Sequence, residues 1–287
     1  MLRKLKIVLA QVESTPGNID RNLDKIRHVV ESYDGDLYVF PELFLQGYHT
    51  KDYIVRVALD TNSHAIGTLR KIAVDRGIGL IVGFAERASD GLIYNAALCI
   101  DESGNTYVYR KRHLPTFTVF EEGRWYCPGR GRIDVWVFRD IKVGVAICYD
   151  IFFPEIFRIY ALKGAALLVI LSASPDASLP LFDVLTRARA LENTCFLAWV
   201  NNVGVFDGLG YAGGSRLVDP LGNVVLQLKR YEEDVGLAEI EIDRVTWIRS
   251  VVRPVLRDLR LDDALQLLAA YEEVFGVMRA VNAEHRL

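Results

Sequence analysis

The sequence has few cysteines, and their spacing argues against the structural uses that cysteine often has. The four are Cys99, Cys127, Cys148 and Cys195, with no Cys-x-x-Cys pair and no cysteine–histidine group at zinc-binding spacing. We therefore expect free thiols, no bound metal and no cofactor. Buried cysteine often serves only as a small apolar group, and this suffices to explain three of the four.

The sequence also lacks an excess of charge and a long apolar run. Its formal net charge is −3 over 287 residues, so no global basic field indicates a nucleic-acid partner. No apolar stretch approaches the roughly 20 residues that a membrane-spanning helix needs. The apolar run in the N-terminal sequence MLRKLKIVLAQV is short and is interrupted by Gln11, which favours a strand over a signal peptide. We expect a cytoplasmic protein with neither a membrane nor a nucleic acid as partner.

The remaining pattern, with 51% apolar residues, indicates a folded α/β protein. Apolar runs rich in β-branched residues alternate with segments of helical periodicity, and turns near residues 103 and 221 join strands as hairpins. This mixture predicts mixed β-sheets covered by helices. The predicted strands are residues 4–12, 37–40, 78–84, 93–100, 106–110, 134–138, 141–147, 166–171, 194–201, 215–228 and 235–242, and the predicted helices are residues 18–33, 63–76, 154–164, 181–193 and 262–281.

No linker interrupts the chain, so we expect one domain over residues 1–287, with a C-terminal helical extension at about residues 260–287. Packing of that helix on its own chain and packing on a second subunit are equally open at this point.

Cys148 differs from the other cysteines in its position. It ends the apolar strand Gly144-Val-Ala-Ile-Cys148, and Phe153-Pro-Glu155 begins a helix just beyond. A strand-to-helix turn exposes its side chain and directs backbone N–H groups outward, which favours a thiolate and a developing oxyanion. A buried core cysteine remains the alternative reading.

A thiol nucleophile needs a base, and histidine is the usual one. His28 and His64 lie on predicted helix faces and His285 lies near the terminus, so we expect these three to be solvated. His49 and His113 lie in loops and stay open as candidates, but neither has a local signature.

Two other charged residues lie at strand ends. Glu42 follows the buried run Tyr38-Val-Phe-Pro, where apolar neighbours raise the pKa of a carboxyl group and make it a competent base. Lys111 follows Tyr109-Arg110, and its compact ammonium can lie beside a tetrahedral oxyanion. The alternative for Glu42 is a solvated glutamate at a strand end. The alternative for Lys111 is membership of a run of surface charges.

Together these segments resemble the nitrilase superfamily of carbon–nitrogen hydrolases, whose mark is a Glu–Lys–Cys triad on three strand ends in that chain order. The matching segments are Phe40-Pro-Glu42, Tyr109-Arg-Lys111-Arg-His-Leu114 and Ile147-Cys148-Tyr-Asp-Ile-Phe-Phe-Pro-Glu155. Further similarity lies at residues 7–11, 187–193, 200–204 and 213–222. The resemblance covers residues 5 to about 245, and the ordered set is specific although each motif alone is weak.

The resemblance implies a four-layer α-β-β-α sandwich with two mixed β-sheets, often paired into homodimers or larger homo-oligomers. It implies that Cys148 is the nucleophile, Glu42 the general base and Lys111 the stabiliser of the tetrahedral intermediate. Many members add a second glutamate ahead of a Tyr/Phe-x-x-Gly segment, and the spacing favours Glu122 over Glu121.

The same resemblance suggests the residues around the substrate. The backbone N–H of Tyr149 is expected to complete the oxyanion hole. The residues Phe152-Phe153 depart from the family pattern and suggest an apolar pocket wall, to which Tyr48, Tyr149 and Trp125 could add. Each of these aromatic residues is more often a packing residue.

The residues after Cys148 resemble the amide-cleaving branches of the superfamily, ω-amidase-like proteins included. Residues 114–122 and 253–258 instead resemble the glutaminase domain of glutamine-dependent NAD synthetases, but we expect a free-standing amidase without a synthetase domain. The leading hypothesis is hydrolysis of a small linear carboxamide to carboxylate and ammonia through a cysteine thioester. An N-carbamoyl amidohydrolase, a nitrilase and a catalytically silent partner-binding scaffold are the alternatives.

Overall fold

Two mixed β-sheets form the centre of the molecule in the computed structural model, which describes residues 3–276. The first sheet contains β1 (Lys4–Gln11), β2 (Leu37–Val39), β3 (Gly79–Arg87), β4 (Ile93–Ile100), β5 (Thr106–Arg110) and β14 (Asp234–Glu241). The second contains β6 (Trp136–Phe138), β7 (Ile141–Ile147), β8 (Leu167–Ser172), β9 (Phe196–Asn201), β12 (Arg216–Val218) and β13 (Val224–Gln227). Their spatial orders are β14-β1-β2-β3-β4-β5 and β13-β12-β9-β8-β7-β6.

Each sheet has a parallel centre and antiparallel edges. Strands β1, β2 and β3 are parallel to one another, as are β7, β8 and β9. The other neighbours pair antiparallel, including the hairpins β4–β5 and β12–β13 that the turns near residues 103 and 221 predicted. The predicted mixed sheets are therefore confirmed.

Helices cover the outer faces of the two sheets and complete the four layers. The helices within the described residues are α1 (Ile19–Ser32), α2 (Ile54–Val57), α3 (His64–Arg76), α4 (Glu122–Trp125), α5 (Pro154–Leu162), α6 (Leu179–Asn193), α7 (Asp243–Trp247) and α8 (Leu261–Phe275). Helices α1 and α3 pack on the first sheet, and α5 and α6 pack on the second. The α-β-β-α sandwich is confirmed.

Burial on both faces explains the continuous apolar runs in the central strands. In β1, Ile7 and Leu9 join the core between the sheets, whereas Val8 and Ala10 join the core beneath α1 and α3. Successive side chains of a strand point to opposite faces, so a strand covered on both sides is apolar throughout. Alternation is lost in such strands, but their length and β-branched content still predict them.

One hairpin of the structure was missed by the sequence analysis. Strands β10 (Val203–Phe206) and β11 (Leu209–Ala212) pair antiparallel around Asp207 and Gly208, which both have positive φ. Asp-Gly is the dipeptide that a two-residue type I′ turn favours. The signal was therefore present in the sequence, and this hairpin borders the site described below.

Other boundaries also differ from the prediction. The strand predicted from residue 194 begins at Phe196, because Thr194 ends α6 in the left-handed conformation at φ 47°. The loop predicted at residues 111–132 contains the single turn α4, and residues 243–252, left unassigned, are helical. The predicted helix over residues 262–281 is present as α8 up to Phe275, where Gly276 ends it in the left-handed conformation, and residues 277–281 lie outside the described residues. No helix between residues 3 and 276 has the length and apolarity that crossing a bilayer requires.

Candidate active site

Glu42 lies in a loop that follows β2 and is held against β3. The loop is anchored by the N–H of Phe40, which donates to the carbonyl of Ile81 at 2.9 Å, and by the N–H of Leu45, which donates to Gly83 at 3.1 Å. A Cβ at Gly83 would lie 2.3 Å from the carbonyl oxygen of Pro41, so only glycine permits this approach. The Glu42 side chain is fully buried as a result.

Lys111 directly follows β5 and is also fully buried. Its backbone N–H donates to Asn95 on β4 at 2.8 Å, and its carbonyl accepts the N–H of Gly129 at 2.7 Å. A Cβ at Gly129 would lie 2.3 Å from the carbonyl oxygen of Arg110, so glycine is required here as well. A strand end and a close-packed loop therefore fix the lysine backbone.

Cys148 directly follows β7 and has a positive φ of 46°. Left-handed backbone is unfavourable for a non-glycine residue, and it marks the sharp turn from strand to helix that presents a nucleophile. The turn continues as a short 3₁₀ segment and is followed by α5. The predicted strand-to-helix elbow is present.

The carboxylate of Asp150 ties this elbow to the end of β5. Its oxygens accept hydrogen bonds from the Ile147 N–H at 3.2 Å, the Tyr109 hydroxyl at 2.8 Å and the His113 N–H at 3.0 Å. The His113 Nδ1 lies 2.9 Å from the same carboxylate. Asp150 is fully buried, so its charge depends on these four partners. The sequence analysis did not identify it.

The two glutamates and the lysine form one buried ionic cluster. The Lys111 Nζ lies 2.7 Å from a carboxylate oxygen of Glu42 and 2.7 Å from one of Glu122. All three side chains are at most 3% exposed. The Tyr48 hydroxyl donates to Glu122 at 2.8 Å, and the Asn95 amide donates to Glu42 at 2.7 Å. The structure thus brings Glu42, Lys111 and Glu122 together, as the resemblance implied.

The charges of this cluster act on the thiol of Cys148. The Ala173 N–H donates to Glu42 Oε2 at 2.7 Å, and the backbone of Ala173 also lowers the pKa of the Cys148 thiol. Burial and the charge of Glu42 raise the pKa of the thiol well above its ordinary value, and Lys111 offsets this only in part. The resting group is therefore a neutral thiol beside a carboxylate.

Burial also moves the pKa of the other two charged groups. It raises the pKa of Glu122 to about 7, with Lys111 opposing the shift and Glu42 adding to it. For Lys111, burial acts against the charge, yet the carboxylates of Glu122 and Glu42 together hold its pKa above the ordinary value. The ammonium stays charged near neutral pH, and Glu122 titrates there.

Asn95 contacts both carboxylates and was missed by the sequence analysis. Its amide donates to Glu42 at 2.7 Å and lies 3.4 Å from Glu122 Oε2. Its carbonyl oxygen is buried without a hydrogen-bond partner. The available signal was a single polar residue within the fully buried strand β4, because such a residue needs a reason to be there.

Neither loop histidine serves as a base for Cys148 in this arrangement. The His113 ring bonds to Asp150 and stacks on Phe153, with ring centroids 3.4 Å apart. His49 Nε2 lies 2.7 Å from the Tyr211 hydroxyl, and burial lowers the pKa of this histidine. The charged groups that act on the Cys148 thiol are Glu42, Lys111 and Glu122.

Two recesses adjoin the cluster. One, of about 290 Å³, has Cys148 in its wall and Tyr149 beside it. The other, of about 70 Å³, borders Glu122 and is lined by Tyr48 and Trp125 among others. Three of the four predicted substrate-binding residues therefore line a recess.

Phe153 lines neither recess, because its ring stacks on His113 instead. The neighbouring Phe152, which was also predicted for the apolar wall, lines the recess beside Cys148. A third and wider recess, of about 780 Å³, contains none of the predicted catalytic residues. In the described part of the chain, no group of three or more His, Cys, Asp or Glu residues is arranged to hold a metal ion.

The chain was compared with known families and proteins. The family model described as Carbon-nitrogen hydrolase matches residues 6–250. An (R)-stereoselective amidase of Pseudomonas sp is 33% identical over 249 residues, which is 85% of this chain and 88% of that protein. A glutamine-dependent NAD(+) synthetase of Thermotoga maritima is 35% identical over 251 residues, which is 84% of this chain but only 43% of the synthetase.

A solved structure adds chemical detail on a relative. The amidase from Nesterenkonia sp. AN1 was solved as a variant with covalent addition of the acetamide moiety of fluoroacetamide at its active site cysteine. It is similar to this chain with a TM-score of 0.78 and 28% identity, over 91% of this chain and 96% of its own. With the fold and the family match in agreement, the chain belongs to the carbon–nitrogen hydrolase family of the nitrilase superfamily.

Proposed function

We propose that this protein hydrolyses a small linear carboxamide to a carboxylate and ammonia through a thioester on Cys148. The observation that carries the proposal is the buried ammonium of Lys111 between Glu42 and Glu122, with the charges of all three groups acting on the Cys148 thiol. An amide is a poor electrophile with a poor leaving group, so its cleavage needs a nucleophile, oxyanion stabilisation and a proton for nitrogen. This cluster contains a group for each task.

In the first half-reaction, Glu42 accepts the thiol proton as the Cys148 sulfur attacks the amide carbon. The carbonyl oxygen becomes an oxyanion, which the Lys111 ammonium and the Tyr149 N–H stabilise. The Glu42 carboxyl group then returns its proton to nitrogen, the carbon–nitrogen bond breaks and ammonia leaves. A thioester on Cys148 remains.

In the second half-reaction, water replaces ammonia. Glu42 accepts a proton from water as the water oxygen attacks the thioester carbon. The Glu42 carboxyl group then gives this proton to the departing Cys148 sulfur. The products are the carboxylic acid and the free thiol. Lys111 bonds to both carboxylates, so its ammonium balances the charge of Glu42 whenever Glu42 is ionised. Because the pKa of Glu122 is about 7, the protonation of Glu122 sets how much negative charge the cluster carries near neutral pH.

Two relatives support an amide as substrate. The Pseudomonas protein is named as an amidase, and the Nesterenkonia amidase accepts an acetamide moiety on its cysteine. The synthetase relative is named for its use of glutamine, but this chain spans less than half of its length. We therefore take only the carboxamide group from these comparisons.

The test is an ammonia-release screen of the purified chain over carboxamides, N-carbamoyl compounds and nitriles, with Cys148→Ser as the control. We expect ammonia from carboxamides and none from the variant. Release of carbon dioxide together with ammonia would instead identify an N-carbamoyl substrate. Ammonia from nitriles alone, or from no compound at all, would contradict the proposal.

A labelling measurement separates an inactive scaffold from an enzyme whose substrate is absent from the screen. Cys99 and Cys195 are buried, Cys127 is half-buried, and Cys148 opens onto a recess. We expect iodoacetamide, itself a carboxamide, to alkylate Cys148 faster than Cys127. Equal labelling of the two, or none at Cys148, would favour the silent scaffold.

We also propose that copies of this chain associate as a homodimer or larger homo-oligomer. The support is an apolar stripe on α8, where Leu261, Leu265, Leu268 and Phe275 are exposed. Contiguous apolar surface of this kind usually marks an interaction site. We expect light scattering to give at least twice the chain mass for the wild type, and the Leu265→Lys, Leu268→Lys double variant to shift it toward monomer. A monomeric wild type would contradict the proposal.

A further inference from the structure

The recess beside Cys148 differs in character from the ionic cluster of Glu42, Lys111 and Glu122. It has a volume of about 290 Å³, and its wall consists largely of aromatic and aliphatic side chains. The residues that line it with Cys148 are Pro115, Phe117, Phe120, Tyr149, Phe152, Ser174, Ser178, Leu181 and Phe182. The group attached to the reacting carbonyl must lie next to this sulfur, so the recess is the space available to the acyl group.

Aromatic rings form a continuous wall along this recess. The Tyr149 ring lies 5.3 Å from the rings of both Phe117 and Phe152, and the Phe152 ring lies 6.2 Å from that of Phe182. At the rim, Phe117 is 47% exposed and Leu181 is 50% exposed. Apolar surface that is open to water at the entrance of a site contributes favourably to the binding free energy when a ligand covers it.

No charged side chain occurs among the residues that line this recess in the described part of the chain. The Lys111 ammonium, which acts on the Cys148 thiol, already bonds to two carboxylates. A carboxylate or ammonium on the acyl group would therefore lose its hydration and gain no partner. Binding is therefore weakened for a substrate with a charged acyl group but not for one with an uncharged acyl group.

We propose that the acyl group of the substrate is uncharged and apolar, and extends to no more than about one aromatic ring on a short linker. An engineered cavity of about 150 Å³ in another protein holds benzene, so 290 Å³ accommodates one ring and a few methylene groups but not two rings. This inference rests on the proposed amide hydrolysis. It separates the chain from enzymes that take glutamine, whose side-chain amide is attached to a charged amino acid.

The first experiment compares two amides of equal chain length, pentanamide and 4-carbamoylbutanoate, which differ by a terminal carboxylate. We expect kcat/KM to be at least about a hundredfold higher for pentanamide. We also expect 3-phenylpropanamide to be accepted and 3-(biphenyl-4-yl)propanamide, which has two separate rings, to be rejected. Equal rates for the matched pair, or preference for the charged amide, would overturn the inference.

Protection of Cys148 provides a readout that does not need turnover. Pentanamide should slow the alkylation of Cys148 by iodoacetamide at concentrations where 4-carbamoylbutanoate does not. If pentanamide protects but no amide releases ammonia, the proposed hydrolysis fails and the inference about the recess stands. If amides are hydrolysed but the charged one protects equally well, only the inference about the recess fails.

Two pairs of variants test the recess directly. Ser178→Lys places an ammonium in the wall, and Ser178→Leu is its uncharged control. We expect the lysine variant to lower the ratio of kcat/KM for pentanamide to that for 4-carbamoylbutanoate at least tenfold. The leucine variant should leave this ratio unchanged. Phe117→Ala removes an exposed ring and should lower kcat/KM for 3-phenylpropanamide by about fivefold, whereas Tyr231→Ala, an exposed ring outside the recess, should not. A pair whose two members behave alike would contradict the inference.

Discussion

Replacement of Lys111 with methionine (Lys111→Met) tests the ionic cluster most directly. The lysine Nζ lies 2.7 Å from an oxygen of both Glu42 and Glu122, and all three side chains are almost completely buried. Methionine keeps the apolar stem but removes the charge. The two carboxylates then face each other in a buried site, so one of them must keep its proton above the pKa of about 7 at which Glu122 loses it in the wild type.

The magnitude of the effect depends on pH. Because Glu122 of the wild type already holds a proton up to a pKa of about 7, holding it in the variant costs about 1.4 kcal/mol more than in the wild type for each pH unit above about 7. This pH-dependent part of the loss of unfolding free energy is therefore about 1.4 kcal/mol at pH 8 and close to zero at pH 5. The sign follows from the raised folded-state pKa of the carboxyl group: its stabilising contribution is complete below the unfolded pKa and is lost as pH rises toward the folded one.

The assay is urea unfolding of the wild type and Lys111→Met at pH 5, 6, 7 and 8, with ammonia release measured on the same samples. Lys4→Met is the control, because Lys4 pairs with Glu239 on the exposed surface and should show no such pH dependence. We also expect Lys111→Met to reduce amide hydrolysis at least a hundredfold, since it removes an oxyanion donor. A stability loss that is the same at pH 5 and pH 8 would refute the reasoning.

Three further substitutions probe the neighbours of this cluster. Glu122→Gln removes a carboxyl group whose pKa is raised to about 7, so its unfolding free energy relative to wild type should rise by about 3 kcal/mol from pH 4.5 to pH 8 in urea titrations; a constant difference would contradict this. Asn95→Leu removes a hydrogen bond to the Glu42 carboxylate and should lower kcat about tenfold to a hundredfold with a smaller effect on KM, measured by steady-state kinetics; an unchanged kcat would refute a positioning role. Asp150→Asn replaces a carboxylate that bonds to the ring and the backbone N–H of His113 with an amide, one end of which can only donate hydrogen bonds. Calorimetry should show a loss of about 1–3 kcal/mol in the free energy of unfolding; wild-type stability would argue against a role for Asp150 in tying the elbow to β5.

The central strands and the order of the layers follow from features that a sequence displays directly. Strand β8, for example, is an uninterrupted apolar run because it is buried on both faces. Glu42, Lys111 and Cys148 lie just beyond the ends of β2, β5 and β7, and strand ends are visible in a sequence. Their meeting in space was taken from the family resemblance, because no pattern within the chain reports distances between positions 69 and 37 residues apart.

The residues that the sequence analysis missed share a different property. Asn95 lies inside a strand and Asp150 inside the turn that follows Cys148, so neither interrupts a periodic pattern. Phe153 was assigned to the pocket wall because it follows the nucleophile, but the charge of Asp150 holds His113 nearby and the histidine ring covers that phenylalanine. Side-chain stacking of this kind depends on tertiary packing, which local sequence does not encode.

The separation of charge around Cys148 links the chemistry of the site to its selectivity. The buried charges of Glu42, Glu122 and Lys111 are satisfied within the cluster and by neutral donors such as Asn95 and Tyr48, which a low-dielectric site requires. No ammonium is left over to bind a charged acyl group. The base and the oxyanion stabiliser therefore belong to a charged cluster that acts on the sulfur, whereas the recess lined by Cys148 has no charged side chain in its wall. An amide whose acyl group is apolar matches both features, with its reacting carbonyl at the charged groups and its apolar chain among the rings.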